Sequence, residues 1–177
     1  MLGILSGIQF AIKQAIRNIE RATSGAGGFR KGGRGRGLSG PTEKDMRLLI
    51  KMMDSSNPKW CERSHANLVV LTGVDFKYDA AAWRKWYEEN KQLERKAWML
   101  AAMKNAGFAV DEADLQKSAP VFLEAMANPN PGVRAAGYFL IRLATGEAHE
   151  FSVLGSEKTR GRQLALWQKA AGKNSEK

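Results

Sequence analysis

Cysteine and histidine are scarce in this chain of 177 residues, which has one cysteine and two histidines. A single cysteine excludes an internal disulfide framework and a four-cysteine zinc site. It fits the cytoplasm or another reducing compartment, with or without association to a membrane or a larger complex. Long apolar runs are also missing: no uninterrupted stretch reaches the about 18 residues that a membrane-spanning helix requires. We therefore expect neither a disulfide-stabilised domain nor a helix that spans a bilayer.

Residues that could carry catalysis are equally few. Cys61 and His65 lie four positions apart on a predicted helix and so share a face, which could begin a metal site or a thiol–imidazole pair. Zinc would need two further ligands, and the other histidine, His149, falls in a predicted turn. We interpret Cys61 as a packing residue and His149 as a surface residue. The sequence thus predicts no enzyme, no metal, no cofactor and no small-molecule substrate.

Acidic residues are rare near the N-terminus. Residues 1–37 hold seven Lys or Arg against one Glu, and so supply +6 of the net charge of +10. The other 140 residues supply +4. The strongest electrostatic signal therefore belongs to an N-terminal arm.

Residues 1–23 have the apolar spacing of an amphipathic helix. The residues of its apolar stripe are Leu5, Ile8, Ile12, Ile16 and Ile19. Such a stripe must be buried against something. Four alternatives remain open: packing on the body of this protein, docking into a partner, lying on a membrane surface, or serving as a removable targeting peptide.

Residues 24–41 contain eight glycines, too many for independent helix or strand formation. The basic residues of this segment are Arg30, Lys31, Arg34 and Arg36. The segment is either a flexible linker or an extension that becomes ordered on an anionic surface, such as an RNA backbone or the acidic face of a partner.

From residue 42 onward the pattern predicts α-helices only, because sustained period-two alternation is absent. Capping residues and glycines predict the helix ends. The predicted helices run from Thr42 to about Met53, from Asn57 to Thr72, from Asp79 toward Gly107, from a cap at Ser118, from Asn130 to Gly146 and from about Ser156 to Ala171. Apolar spacings of three and four allow the third to continue without a break to Gly107. A polar tail, 172–177, follows.

Part of the chain repeats itself 73 residues apart. Asn57-Pro58 returns as Asn130-Pro131, and Thr72-Gly73 returns as Thr145-Gly146. The apolar matches are Leu48, Leu49, Met53, Leu68, Val70 and Tyr78 with Val121, Phe122, Met126, Ile141, Leu143 and Phe151. We expect two related helical units, at about 42–107 and 117–171. Two such units cannot bury their apolar faces alone, so the N-terminal helix, the long third helix or another protein must cover them.

The segment 128–136, NPNPGVRAA, resembles the inter-helix turn and second helix of a HEAT repeat, of the armadillo/HEAT type. The segment 71–79, LTGVDFKYD, closing on Trp83-Arg84-Lys85-Trp86, resembles the end that follows HEAT-like helices in bacterial proteins. Together the resemblances cover residues 42–171, although the first copy has Trp60 and Cys61 in place of Val133 and Arg134. They imply an α-solenoid fragment that binds other proteins and has no catalytic residues.

The leading hypothesis is a non-enzymatic scaffold or accessory subunit in a larger assembly. Trp83, Trp86 and Trp167 keep helical spacing and are expected in the core. Trp60 and Trp98 break the local stripe and are candidate anchors for a partner protein. The alternatives are an RNA- or ribosome-associated protein that uses residues 25–37, and a peripheral membrane protein attached through residues 1–23.

Overall fold

A computed structural model describes residues 41–147 and 149–174, with side chains up to residue 170. Within these ranges the chain forms seven α-helices and no β-strand. The helices are α1 (Glu43–Met52), α2 (Pro58–Thr72), α3 (Ala80–Asn90), α4 (Arg95–Asn105), α5 (Ala119–Met126), α6 (Pro131–Thr145) and α7 (Glu157–Asn174). The predicted all-α fold class is confirmed.

The predictions for the N-terminal helix and the basic arm lie outside the described residues. They concern Leu5, Ile8, Ile12, Ile16, Ile19, Arg30, Lys31, Arg34 and Arg36.

Helices α2 and α6 begin and end at the residues that the sequence predicts. The side chains of Asn57 and Asn130 each accept a hydrogen bond from the backbone N–H two residues further on, and a proline follows each of them. These bonds satisfy donors that the first helical turn leaves free. Gly73 and Gly146 end the helices with φ values of 77° and 70°, a conformation that glycine adopts without steric cost.

The two predicted caps at α1 and α5 have different outcomes. Thr42 and Asp45 form a capping box at the start of α1, as predicted. Ser118 occupies the cap position of α5, but its side chain makes no capping bond. Its hydroxyl instead accepts a hydrogen bond of 2.8 Å from the backbone N–H of Asp111. Ser118 therefore holds the preceding loop against α5.

The expectation of one continuous helix from Asp79 to Gly107 is wrong. The chain leaves the helix after Asn90, and Glu94 takes an extended conformation before α4 begins. The side-chain amide of Asn90 donates to the carbonyl of Trp86 at 2.7 Å, which competes with continuation of the helix. The break changes the direction of the chain, so that Trp98 of α4 contacts Trp86 of α3.

The buried residues form two clusters. One combines α1, α2, α3 and Trp98, and the other combines α4, α5, α6 and the side chain of Trp167 from α7. Helix α6 packs against α5, α4 and α2 and so lies at the centre of the described structure. Trp83 and Trp167 are fully buried, which confirms them as core residues, whereas Trp86 is half-buried.

Candidate functional site

A groove of about 730 Å³ opens where α3 breaks into α4. Its other walls are formed by Pro41 and Glu43 at the start of α1 and by Phe139 and Leu143 of α6. Its lining residues are Pro41, Glu43, Tyr87, Lys91, Gln92, Leu93, Glu94, Arg95, Lys96, Trp98, Phe139 and Leu143. A concave surface of this size is within the range that small ligands and short peptide segments occupy.

The turn between α3 and α4 gives the groove its shape. Leu93 donates its backbone N–H to the carbonyl of Asn90 at 2.9 Å, which closes the turn. Trp98 then reaches back, and its indole N–H donates to the same carbonyl at 3.0 Å. Its ring lies edge-on to that of Trp86, with centroids 5.3 Å apart. This aromatic contact fixes the angle between the two helices and hence the width of the groove.

Arg95 joins three helices beneath the groove. Its guanidinium donates to the carbonyls of Leu71 and Val70, each at 3.1 Å, at the C-terminal end of α2. The guanidinium carbon also lies 4.5 Å from the ring centroid of Phe139 on α6. A cation is favourable at a helix C-terminus and over an aromatic face. Arg95 therefore links α2, α4 and α6.

Burial lowers the pKa of Arg95 to about 10, and the nearby charge of Arg142 acts in the same direction. Arg95 stays charged at neutral pH, since this pKa is still well above 7. No described carboxylate forms an ion pair with Arg95 or Arg142. The floor of the groove thus has a fixed positive charge that only carbonyl dipoles and a ring face balance.

The surface of the groove combines exposed leucines with side chains of both charges. Leu93 is 49% exposed and Leu143 is 37% exposed, both high for leucine. Lys91 forms an ion pair with Glu88, whereas Lys96 forms none with the described carboxylates. Two exposed leucines beside a free lysine suit a protein segment with apolar side chains and a carboxylate.

Trp60 and Trp98, the two predicted anchors, are not brought together. Trp98 lines the groove but is 6% exposed, so it supports the wall and offers little surface to a partner. Trp60 is half-buried and does not line the groove. The guanidinium carbon of Arg63 lies 5.9 Å from the centroid of its ring.

Sequence reasoning missed the residues that make the groove. Apolar spacing predicts a continuous helix through Leu93, and the 73-residue repeat pairs Leu143 with Val70 of the first unit. The polar run Asn90-Lys91-Gln92 is the one signal that could have indicated a break before Leu93. No comparable signal marks Leu143, because its exposure depends on which helices surround α6.

Cys61 and His65 have separate partners. The Cys61 thiol lies 3.4 Å from the carbonyl of Met53, whereas His65 bonds the carboxylate of Asp75 at 2.7 Å. Burial alone would raise the pKa of Asp75, but hydrogen bonds from Lys77 and His65 lower it to about 2.

His149 packs edge-on against Trp167, with centroids 5.2 Å apart. Within the described ranges, no group of three or more metal-ligating side chains occurs.

Comparison with protein-family models, with curated proteins and with solved structures finds no match for this chain. In the part of the chain that the structure describes, no helix combines the length and apolar character needed to cross a membrane.

Proposed function

We propose that this protein is a non-enzymatic scaffold or accessory subunit, and that the groove between α3, α4 and α6 receives a segment of another protein. The observation that carries the proposal is the pair of exposed leucines, Leu93 and Leu143, in a groove whose floor holds the charge of Arg95, which forms no ion pair with a described carboxylate. The partner segment carries apolar side chains for the leucines and an acidic side chain for Lys96. The HEAT-like resemblance of residues 42–171 supports the same class of function.

The basic arm lies next to the groove in the chain. Pro41 lines the groove, and Arg36 precedes it by five residues. Five residues span at most about 17 Å, so basic side chains of the arm are within reach of a partner bound there. Their attraction for an acidic partner weakens as salt rises. Attachment of residues 1–23 to a membrane stays a prediction.

The test compares two leucines of equal exposure. Leu93 in the groove and Leu154 outside it are both 49% exposed. The full chain and its Leu93→Glu and Leu154→Glu variants are used as bait after nuclease treatment, and the co-purifying proteins are identified. We expect Leu93→Glu to lose a nuclease-resistant partner that the wild type and Leu154→Glu retain.

The recovered partner is then titrated against the three chains. A loss of affinity on Leu93→Glu of at least about tenfold, or about 1.4 kcal/mol, supports docking in the groove. Equal affinity of all three chains rejects the groove as the docking site. Disappearance of every partner on nuclease treatment favours the RNA-associated alternative instead.

A further inference from the structure

The positive charge of the chain is concentrated in two places. One is the N-terminal arm, and the other is α7, which holds five Lys or Arg against one Glu. The basic residues of α7 are Lys158, Arg160, Arg162, Lys169 and Lys173. The remaining residues from 38 onward contain sixteen Lys or Arg and sixteen Asp or Glu, so their net charge is zero. Outside the arm, α7 thus accounts for the whole net charge.

Three of these residues lie on one side of α7. Lys158, Arg162 and Lys169 are exposed, and their spacing places them within an arc of about 40° along about 16 Å of the helix. We call these three residues the α7 basic stripe. Trp167, on the opposite side, is 1% exposed and packs edge-on against Tyr138. Because that side anchors the helix in the core, the basic stripe faces solvent.

The α7 basic stripe lacks counterions. No described carboxylate forms an ion pair with any of its three members. The pattern differs on α1, where Arg47 pairs with Glu43 and Glu88. Arg160 differs as well, since it donates to the carbonyl of Gly155 and supports the local fold. The three stripe cations are therefore available to an external anion.

The chemistry of this face favours a phosphate backbone over the surface of a bilayer. It has no aromatic side chain for stacking on bases, so it can contact a backbone but cannot read a sequence. Its one large exposed apolar side chain is Leu166, because the apolar side of α7 is buried in the protein. A helix that inserts in a bilayer surface needs that apolar side free. We propose that the α7 basic stripe binds the phosphate backbone of a nucleic acid without sequence specificity.

The test measures the salt dependence of binding. Fluorescence anisotropy gives the affinity of the full chain for a labelled DNA duplex of arbitrary sequence at several salt concentrations. Each phosphate neutralised adds about −0.9 to the slope of log affinity against log salt. The variant Lys158→Gln/Arg162→Gln/Lys169→Gln is expected to lose about 2.7 from the magnitude of that slope, with weaker binding at every salt concentration.

A second triple variant controls for net charge. Lys44→Gln/Lys51→Gln/Lys85→Gln removes three exposed positive charges from α1 and α3. It is expected to keep the wild-type slope, and so is Lys158→Arg/Lys169→Arg, which preserves the charge of the stripe. Circular dichroism verifies that each variant has the wild-type helix content.

Three results would overturn the proposal. One is an unchanged slope in the stripe variant. Another is an equal loss of slope in both triple variants, which would mean that only net charge matters. The third is binding to anionic phospholipid vesicles that depends on the stripe while binding to nucleic acid does not.

Discussion

Helices α2 and α6, which start 73 residues apart, have nearly the same local structure in different surroundings. Each is 15 residues long and lies between an Asn-Pro start and a left-handed glycine. Near the end of each, a threonine hydroxyl donates to the carbonyl four residues earlier: Thr72 at 2.7 Å and Thr145 at 2.8 Å. These features depend on residues within one turn of each other, so the same sequence signals produce them twice.

The chain after each helix also returns to a corresponding point on that helix. The rings of His65 and Tyr78 have centroids 5.0 Å apart, and those of Tyr138 and Phe151 are 5.6 Å apart. Both members of the second pair lie 73 positions after those of the first. The 73-residue correspondence therefore extends beyond the helix ends to a contact between a helix and the segment that follows it.

Burial distinguishes the two helices. All residues of α6 from 132 to 142 are buried, whereas α2 alternates between buried and exposed positions. The reason is position: α6 is packed by α2, α4 and α5, and α2 has solvent on one side. Similar helices can therefore respond differently to the same substitution, and three predictions use this difference.

The largest expected difference concerns Arg134 and Cys61, which occupy corresponding positions. Arg134 is buried and donates to three carbonyls, those of Val153, Asn128 and Pro129. Cys61 makes one weak contact with a carbonyl. We expect Arg134→Ala to lower the free energy of unfolding by about 3 kcal/mol, because it leaves buried carbonyls unpaired. Cys61→Ala should lower the free energy of unfolding by less than about 1 kcal/mol. Urea denaturation measures both variants, and an equal decrease in the two would contradict this prediction.

An intermediate difference is expected between the two left-handed glycines. A Cβ atom on Gly73 would lie 2.9 Å from Cβ of Ala102 and 3.1 Å from Sδ of Met99, whereas Gly146 has no neighbour within 4 Å. Gly146→Ala should cost about 1 kcal/mol, from backbone strain alone. Gly73→Ala should cost about 2–4 kcal/mol, because crowding against α4 adds to the strain. Thermal unfolding measures the loss of stability in both variants. Equal losses would show that Gly73→Ala causes no crowding against α4.

The smallest expected effect is a pH dependence confined to the first of the two segments. The pKa of Asp75 is about 2 in the folded protein, below its ordinary value of 3.8. A lowered folded-state pKa stabilises the protein above the ordinary pKa, and this contribution disappears as the pH falls toward 2. Asp75→Asn should therefore unfold more easily by about 1–2 kcal/mol at pH 7. The difference in free energy of unfolding between this variant and the wild type should disappear between about pH 5 and pH 2. Urea titrations over this range measure it, and a constant difference would contradict the lowered pKa of Asp75.

Much of the fold could be predicted because its signals are local. The caps at Thr42, Asn57 and Asn130 and the end residues Gly73 and Gly146 act through their own backbone neighbours. The burial of Trp83 and Trp167 followed from apolar periodicity. The groove could not be predicted in the same way. Periodicity placed Leu93 inside a continuous helix, because spacing does not show where a chain will fold back on itself.

The sequence by itself determined that the described chain is helical, where most of its helices begin and end, and that its charge is uneven. Only the tertiary structure decided that Arg95 and Arg134 bind carbonyls inside the protein while the α7 basic stripe remains in solvent. The physical reason is that a helix end is set by atoms a few residues away. The surroundings of a side chain are set by helices that are distant in sequence, and packing brings these together.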